Sequence, residues 1–128
     1  MKSEDTGHGV LETWTVDEVH DALHKGNIAV IDVRTAQEYM FEHIDGALLA
    51  PMGQIRPDRL PSTDSKPLVF YCGSSKRSEN VARSLLAAGH AKIAHMQGGF
   101  AAWKEAGKSY IGTDMSSGAP QRVDSARE

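Results

Sequence analysis

A chain of 128 residues fits one ordinary domain, and 40% hydrophobic with 24% charged content is globular composition, not that of a disordered chain. The formal charge of −3 gives no reason to expect nucleic acid or an anionic membrane as partner. A single cysteine excludes an internal disulfide framework and suits a reducing compartment, so a cytoplasmic location is expected, with no signal peptide in the polar N-terminus and no run apolar enough to span a membrane.

Residues 1–10 are polar and Gly-containing and are expected to be a flexible tail, and 11–14 a short edge strand. Thr15 and Glu18 have capping-box spacing, so a helix should open there and stop at Gly26. Residues 28–33 form an apolar, β-branched run broken by Asp32, the pattern of a central parallel strand covered on both faces. A buried Asp32 needs a partner, and Arg34 would point elsewhere if the strand continued. Thr35 and Glu38 repeat the capping box and predict a short helix to about residue 42. A short strand is expected within 47–50, one or two helical turns within 53–60, and a polar loop over 61–66.

Residues 67–71 read as the strand that delivers Cys72. The strongest helical pattern covers 78–88, with Val81, Ala82, Leu85 and Leu86 on one side and Gly89 as its stop. Residues 92–96 predict another strand, Gly98-Gly99 a flexible turn, and 100–106 a last helix with Phe100 and Trp103 inward. Ile111 is the final core candidate, and 112–128 reads as a disordered tail. The domain is therefore expected over 11–111. Alternating strands and helices imply an α/β fold with a mostly parallel sheet of about five strands and helices on both faces.

Chemistry concentrates after the strand ending at Cys72, which is expected to place that sulfur at the mouth of a loop. In Cys72-Gly73-Ser74-Ser75-Lys76-Arg77-Ser78, small residues permit a tight ring of inward backbone N–H groups beside a helix N-terminus. Lys76 and Arg77 add positive charge at its rim, and both effects favour thiolate over thiol. A lone cysteine at a strand end is more often a small buried hydrophobe, but such a residue has no use for this loop. Cys72 and Asp32 both fall at C-terminal strand ends, where active sites of such sheets lie.

Three stretches in order resemble the rhodanese-like sulfurtransferases: Val30-Ile31-Asp32-Val33-Arg34 with Glu38-Tyr39 and His43-Ile44-Asp45-Gly46-Ala47, the Cys72–Ser78 loop, and Gln97-Gly98-Gly99-Phe100-Ala101-Ala102-Trp103. Glu42 stands where the family usually has Gly, and Leu48-Leu49-Ala50-Pro51 where it more often has Asn-Ile-Pro. The resemblance implies a three-layer sandwich and ping-pong sulfur transfer. Cys72 takes the sulfane sulfur of thiosulfate or another donor as a persulfide and hands it to cyanide, a thiol or a protein cysteine. Gly73, Ser74, Ser75, Lys76, Arg77 and Ser78 would form the substrate and persulfide loop, with Asp32, Arg34, Glu38 and His43 a supporting network. Neither cofactor nor metal is implied, and neither nucleic acid nor membrane is expected as partner.

Three rival readings remain. A rhodanese-like phosphatase would have a loop one residue longer than the four between Cys72 and Arg77. A persulfide-carrier or protein-binding module with little turnover would keep the same loop. His20 and His24, at i, i+4, have metal-pair spacing but no evident third ligand, so a solvated helix face is the simpler reading.

Overall fold

In the computed structural model, which describes residues 1–60 and 66–124, strands and helices alternate along most of the chain. The elements are β1 (Lys2–Asp5), β2 (Val10–Trp14), α1 (Val16–His24), β3 (Ala29–Asp32), α2 (Ala36–Phe41), β4 (Glu42–His43), β5 (Leu48–Leu49), β6 (Leu68–Tyr71), α3 (Lys76–Ala87), β7 (Lys92–Met96), α4 (Gly99–Glu105), β8 (Tyr110–Thr113) and β9 (Pro120–Val123). Single 3₁₀ turns at Met52–Gln54 and Pro57–Arg59 carry the stretch before residue 60. The polar loop expected over 61–66 lies, apart from Lys66, outside the described residues.

Local chemistry starts both early helices as expected. The Thr15 hydroxyl accepts the Glu18 N–H while the Glu18 carboxylate accepts the Thr15 N–H, and Thr35 and Glu38 repeat the exchange. α3 begins two residues before the expected Ser78 and ends in the Gly89 turn.

The main sheet has strand order β1-β2-β7-β6-β3-β5, all parallel except β1, which is antiparallel to β2. Its residues alternate between two cores, as the two-residue strand period requires. Leu68, Phe70 and Cys72 face Val81, Ala82, Leu85 and Leu86 of α3. Val69 and Tyr71 face Val19 of α1 with Phe100 and Trp103 of α4. Phe100 and Trp103 are thus inward, as their spacing predicted.

Two expectations about the ends need correction. β2 is not an edge strand: the segment read as a flexible tail folds as β1 against it, pairing Lys2 with Thr13 and Asp5 with Val10. The backbone groups of β2 find partners there. β1 escaped notice because all four of its residues are exposed and polar, so it buries nothing that hydrophobic patterning detects. Similarly, the C-terminal segment read as disordered supplies β9, which with β8 and β4 forms a small antiparallel sheet. Pro120 opens β9 at an edge, where its missing N–H costs no ladder bond. Arg122 ties it down through Asp45 at 3.1 Å and Ser109 at 2.7 Å.

Asp32 is fully buried, and the chain answers its charge on several sides. β3 stops there, so Arg34 turns back. Its Nη2 lies 2.8 Å from Asp32 Oδ2, and its backbone N–H donates to Oδ1 at 2.9 Å. The same guanidinium donates to the Glu42 carbonyl and lies over the Phe100 ring at 4.7 Å. The Tyr71 hydroxyl, opposite in register, donates to Asp32 Oδ2 at 2.7 Å and accepts the Ile44 N–H at 3.1 Å. Burial first, then the neighbouring Asp32, pushes the Tyr71 phenol well above its ordinary range, so it stays a donor.

Tyr71→Phe strips one donor from a buried carboxylate and leaves the Ile44 N–H without its acceptor. It should lower unfolding stability by about 2 kcal/mol, read as a lower urea midpoint at unchanged slope.

Candidate active site

Cys72 follows β6 directly, and its sulfur sits beneath the first turn of α3. The Ser75 N–H points at Sγ from 3.2 Å and the Ser78 N–H from 3.3 Å, and the Ser78 hydroxyl lies 3.6 Å away. Ser78 occupies the third position of α3, so its N–H has no intrahelical acceptor, and the sulfur takes the place of a capping oxygen. Burial pushes the Cys72 thiol up, but the amides of Ser78, Ser74 and Ser75 and the Ser78 hydroxyl outweigh it and hold the thiol below its ordinary value.

Cys72 does not stand at the mouth of the loop as expected. It is 1% exposed and forms part of the floor, packed into the core under α3. The amides nonetheless face it, so the site combines a low-dielectric floor with converging donors.

Holding those amides inward requires an unfavourable backbone. Ser75 has φ 128°, the only positive φ at a non-glycine residue among those described. Its hydroxyl does not cap α3; it accepts the Gly98 N–H at 2.8 Å. Next along the chain, Phe100 N–H donates to the Cys72 carbonyl at 2.8 Å and Ala101 N–H to the Gly73 carbonyl at 3.0 Å. A Cβ on Gly99 would lie 2.5 Å from the Cys72 carbonyl oxygen and 2.7 Å from Ser74 N. Gly98-Gly99 is therefore the seat of the loop, where a flexible turn was expected; only a residue without a side chain lets the two backbones touch.

The rim cations also differ from expectation. Arg77 makes a two-pronged bridge to Glu38, at 2.9 and 3.1 Å, and its guanidinium lies against Gly73. The Arg77 hydrogen bonds, assisted by the Thr35 cap, pull the Glu38 carboxyl down to about 2 despite some burial. Lys76 is exposed, as is Ser74. The supporting residues thus divide. Glu38 reaches the loop; Asp32 and Arg34 brace the strand ends beneath it. His43 joins neither group: its Nδ1–H donates to the Tyr39 carbonyl at 2.7 Å and its ring stacks on Tyr39 at 3.8 Å.

Elsewhere, His20 and His24 stand 4.2 Å apart by ring centroids, and His24 Nδ1 is bonded to the His20 carbonyl. Two residues of the site were not singled out from sequence: Tyr71, partner of Asp32, and His95, whose ring lies 3.2 Å from the Ser78 hydroxyl. A buried histidine interrupting the otherwise apolar centre of β7 was the available signal.

The depressed Glu38 carboxyl makes the Arg77 bridge a source of stability above pH 4.5 that is lost as pH falls through about 2. Glu38→Gln should therefore flatten the loss of stability across that window relative to the parent, measured by urea unfolding at stepped pH.

The family model for the rhodanese-like domain matches residues 15–106. The uncharacterized protein slr1261 of Synechocystis is 40% identical over 86 residues, 67% of this chain and 48% of that protein, so the chain spans about half the length of this relative. The thiosulfate sulfurtransferase GlpE of Coxiella burnetii is 31% identical over 94 residues, covering 73% of this chain and 82% of GlpE. The crystal structure of a rhodanese-like domain protein from Staphylococcus aureus superposes with a TM-score of 0.62 at 30% identity, covering 72% of this chain and 90% of that one.

Proposed function

The chain belongs to the rhodanese-like domain family, and from that premise we propose that it is a sulfurtransferase working through a Cys72 persulfide. The observation that carries the reading is the pair of amides, from Ser75 and Ser78, aimed at one buried sulfur whose thiol they hold below its ordinary value. Such a site favours an anion on sulfur, which both the attacking thiolate and the persulfide require.

With thiosulfate as donor, the Cys72 thiolate attacks the sulfane sulfur. A Cys72–S–S bond forms, the S–S bond of thiosulfate breaks, and its electron pair leaves with sulfite. The terminal persulfide sulfur carries the negative charge, where preorganised amides act as an oxyanion hole does for oxygen. Cyanide or a second thiolate then attacks that outer sulfur, the persulfide bond breaks, and thiolate returns to Cys72. A protein cysteine is an equally suitable acceptor. The chain's single cysteine suffices, because the acceptor supplies the second nucleophile. Arg77, fixed by Glu38 beside Gly73, presents the guanidinium that meets the sulfonate end of the donor, with Lys76 adding exposed charge. The setting is a reducing, cytoplasmic one, where a free thiol persists.

A second reading, a persulfide carrier or protein-binding module with little turnover, draws support from the 1% exposure of Cys72, which limits approach of small acceptors. Mass spectrometry after thiosulfate, then after cyanide, separates the two: an enzyme gains one sulfur and promptly loses it, whereas a carrier keeps it until a partner thiol is added. Absence of any sulfur gain would defeat both the enzyme and the carrier and leave only a protein-binding module.

Cys72→Ser should lower thiosulfate:cyanide turnover by roughly a thousandfold or more while leaving the fold unchanged by circular dichroism. Arg77→Ala should raise KM for thiosulfate about tenfold with a smaller effect on kcat, measured by steady-state kinetics.

A further inference from the structure

His95 lies on β7 directly behind the loop, 4% exposed, with a partner on each ring nitrogen. Nδ1 is 3.2 Å from Ser78 Oγ, and Nε2 is 3.2 Å from Thr13 Oγ1 on β2. Ser78 Oγ is in turn 3.6 Å from Cys72 Sγ and 3.0 Å from the Ser75 carbonyl oxygen. An unbroken hydrogen-bonded chain therefore runs Cys72–Ser78–His95–Thr13. It ends at a cavity of about 260 Å³ reached by Thr13, Ser75 and His95. Charged groups from two neighbouring elements wall that cavity: Lys2 and Glu4 of β1, and Glu79 and Arg83 of α3. Arg83 bridges Glu4 at 3.0 Å and Glu79 at 2.9 Å.

Ser78 has one hydroxyl proton and three neighbours that could take it: the sulfur, the imidazole and the Ser75 carbonyl. The tautomer of His95 decides where it goes. With the proton on Nε2, Nδ1 accepts from Ser78, leaving Oγ as acceptor for the Cys72 thiol. With the proton on Nδ1, His95 donates to Oγ, and the hydroxyl proton is freed to point at the sulfur. Burial holds the imidazole below its ordinary value, which favours the neutral ring and makes these two tautomers the states to compare.

We propose that His95 is a positioning residue for Cys72: by switching tautomer it turns the Ser78 hydroxyl from acceptor of the thiol into a further donor to the thiolate. The proton balance is closed. The thiol proton passes to Ser78 Oγ, the former hydroxyl proton passes to His95 Nδ1, and the Nε2 proton leaves past Thr13 to water in the polar cavity. One proton moves from sulfur to solvent, and His95 ends neutral with its proton on Nδ1. The sulfur thus loses its proton through the back of the loop, away from the face where Arg77 stands. The inference rests on the sulfur-transfer reading only in taking Cys72 as the nucleophile.

Because the chain has one cysteine, its ionisation can be followed directly by ultraviolet thiolate absorbance as pH is raised, with Cys72→Ser as blank. No sulfur donor is needed, so failure of thiosulfate loading and failure of this inference are separate results. His95→Gln, whose amide reaches the Nε2 position but leaves Nδ1 empty, and Ser78→Ala should each raise the Cys72 midpoint by about one pH unit. The double variant should raise it no further than the larger single, because His95 acts only through Ser78. His95→Asn, which sets an N–H where Nδ1–H stood, should keep the midpoint within roughly 0.3 of a pH unit of the parent. An unmoved midpoint in His95→Gln, or additive shifts in the double variant, would overturn the proposal.

Discussion

A helix N-terminus carries N–H groups with no acceptor inside the helix, and α3 leaves one of them, on Ser78, to a sulfur atom. The rest of the site follows from that exchange. For the sulfur to serve as cap, the serine at the capping position must surrender its hydroxyl elsewhere, and Ser75 gives it to Gly98. For the Ser75 amide to point inward, its backbone must enter a region that L-residues avoid. That strain persists because the start of α4 grips the Cys72 and Gly73 carbonyls on the other side.

Beneath the loop, a second constraint is a buried negative charge. Asp32 is tolerable inside the sheet only because Arg34, Tyr71 and its own strand end all turn toward it. The network orients the ends of β3 and β6 together, and Cys72 is the next residue along β6. The acid is thus a brace for the platform that carries Cys72 and stands apart from the sulfur. Glu38 makes the direct link, since one carboxylate both caps α2 and holds Arg77 against the loop. A charge first placed among rim cations is part of that latch, paired with Glu38 at 2.9 and 3.1 Å.

Much of this arrangement was legible beforehand, for reasons visible in particular residues. Thr15 with Glu18 and Thr35 with Glu38 announce helix starts because their bonds are local, closing within four residues. The apolar runs of β3 and β6 announce central strands because burial on both faces admits little else. β1 and β9 were illegible for the opposite reason: β1 is exposed and polar throughout and β9 is exposed except at Val123, so only pairing with another strand makes them strands. Gly98 and Gly99 read locally as freedom to turn; contact with the loop converts that freedom into a requirement.

The order of elements, the two helix caps, the parallel α/β class and the placing of Cys72 between a strand and a helix were all determined by the sequence, because each depends on residues close together in the chain or on the period of burial. Tertiary structure alone decided what surrounds the sulfur. Whether Cys72 faced solvent or core, whether Arg77 stood free or paired with Glu38, and whether His95 filled space or touched Ser78 are questions about residues between 17 and 39 positions apart. No local propensity encodes such contacts; they exist only once β3, β6 and β7 lie side by side and bring their ends to one place.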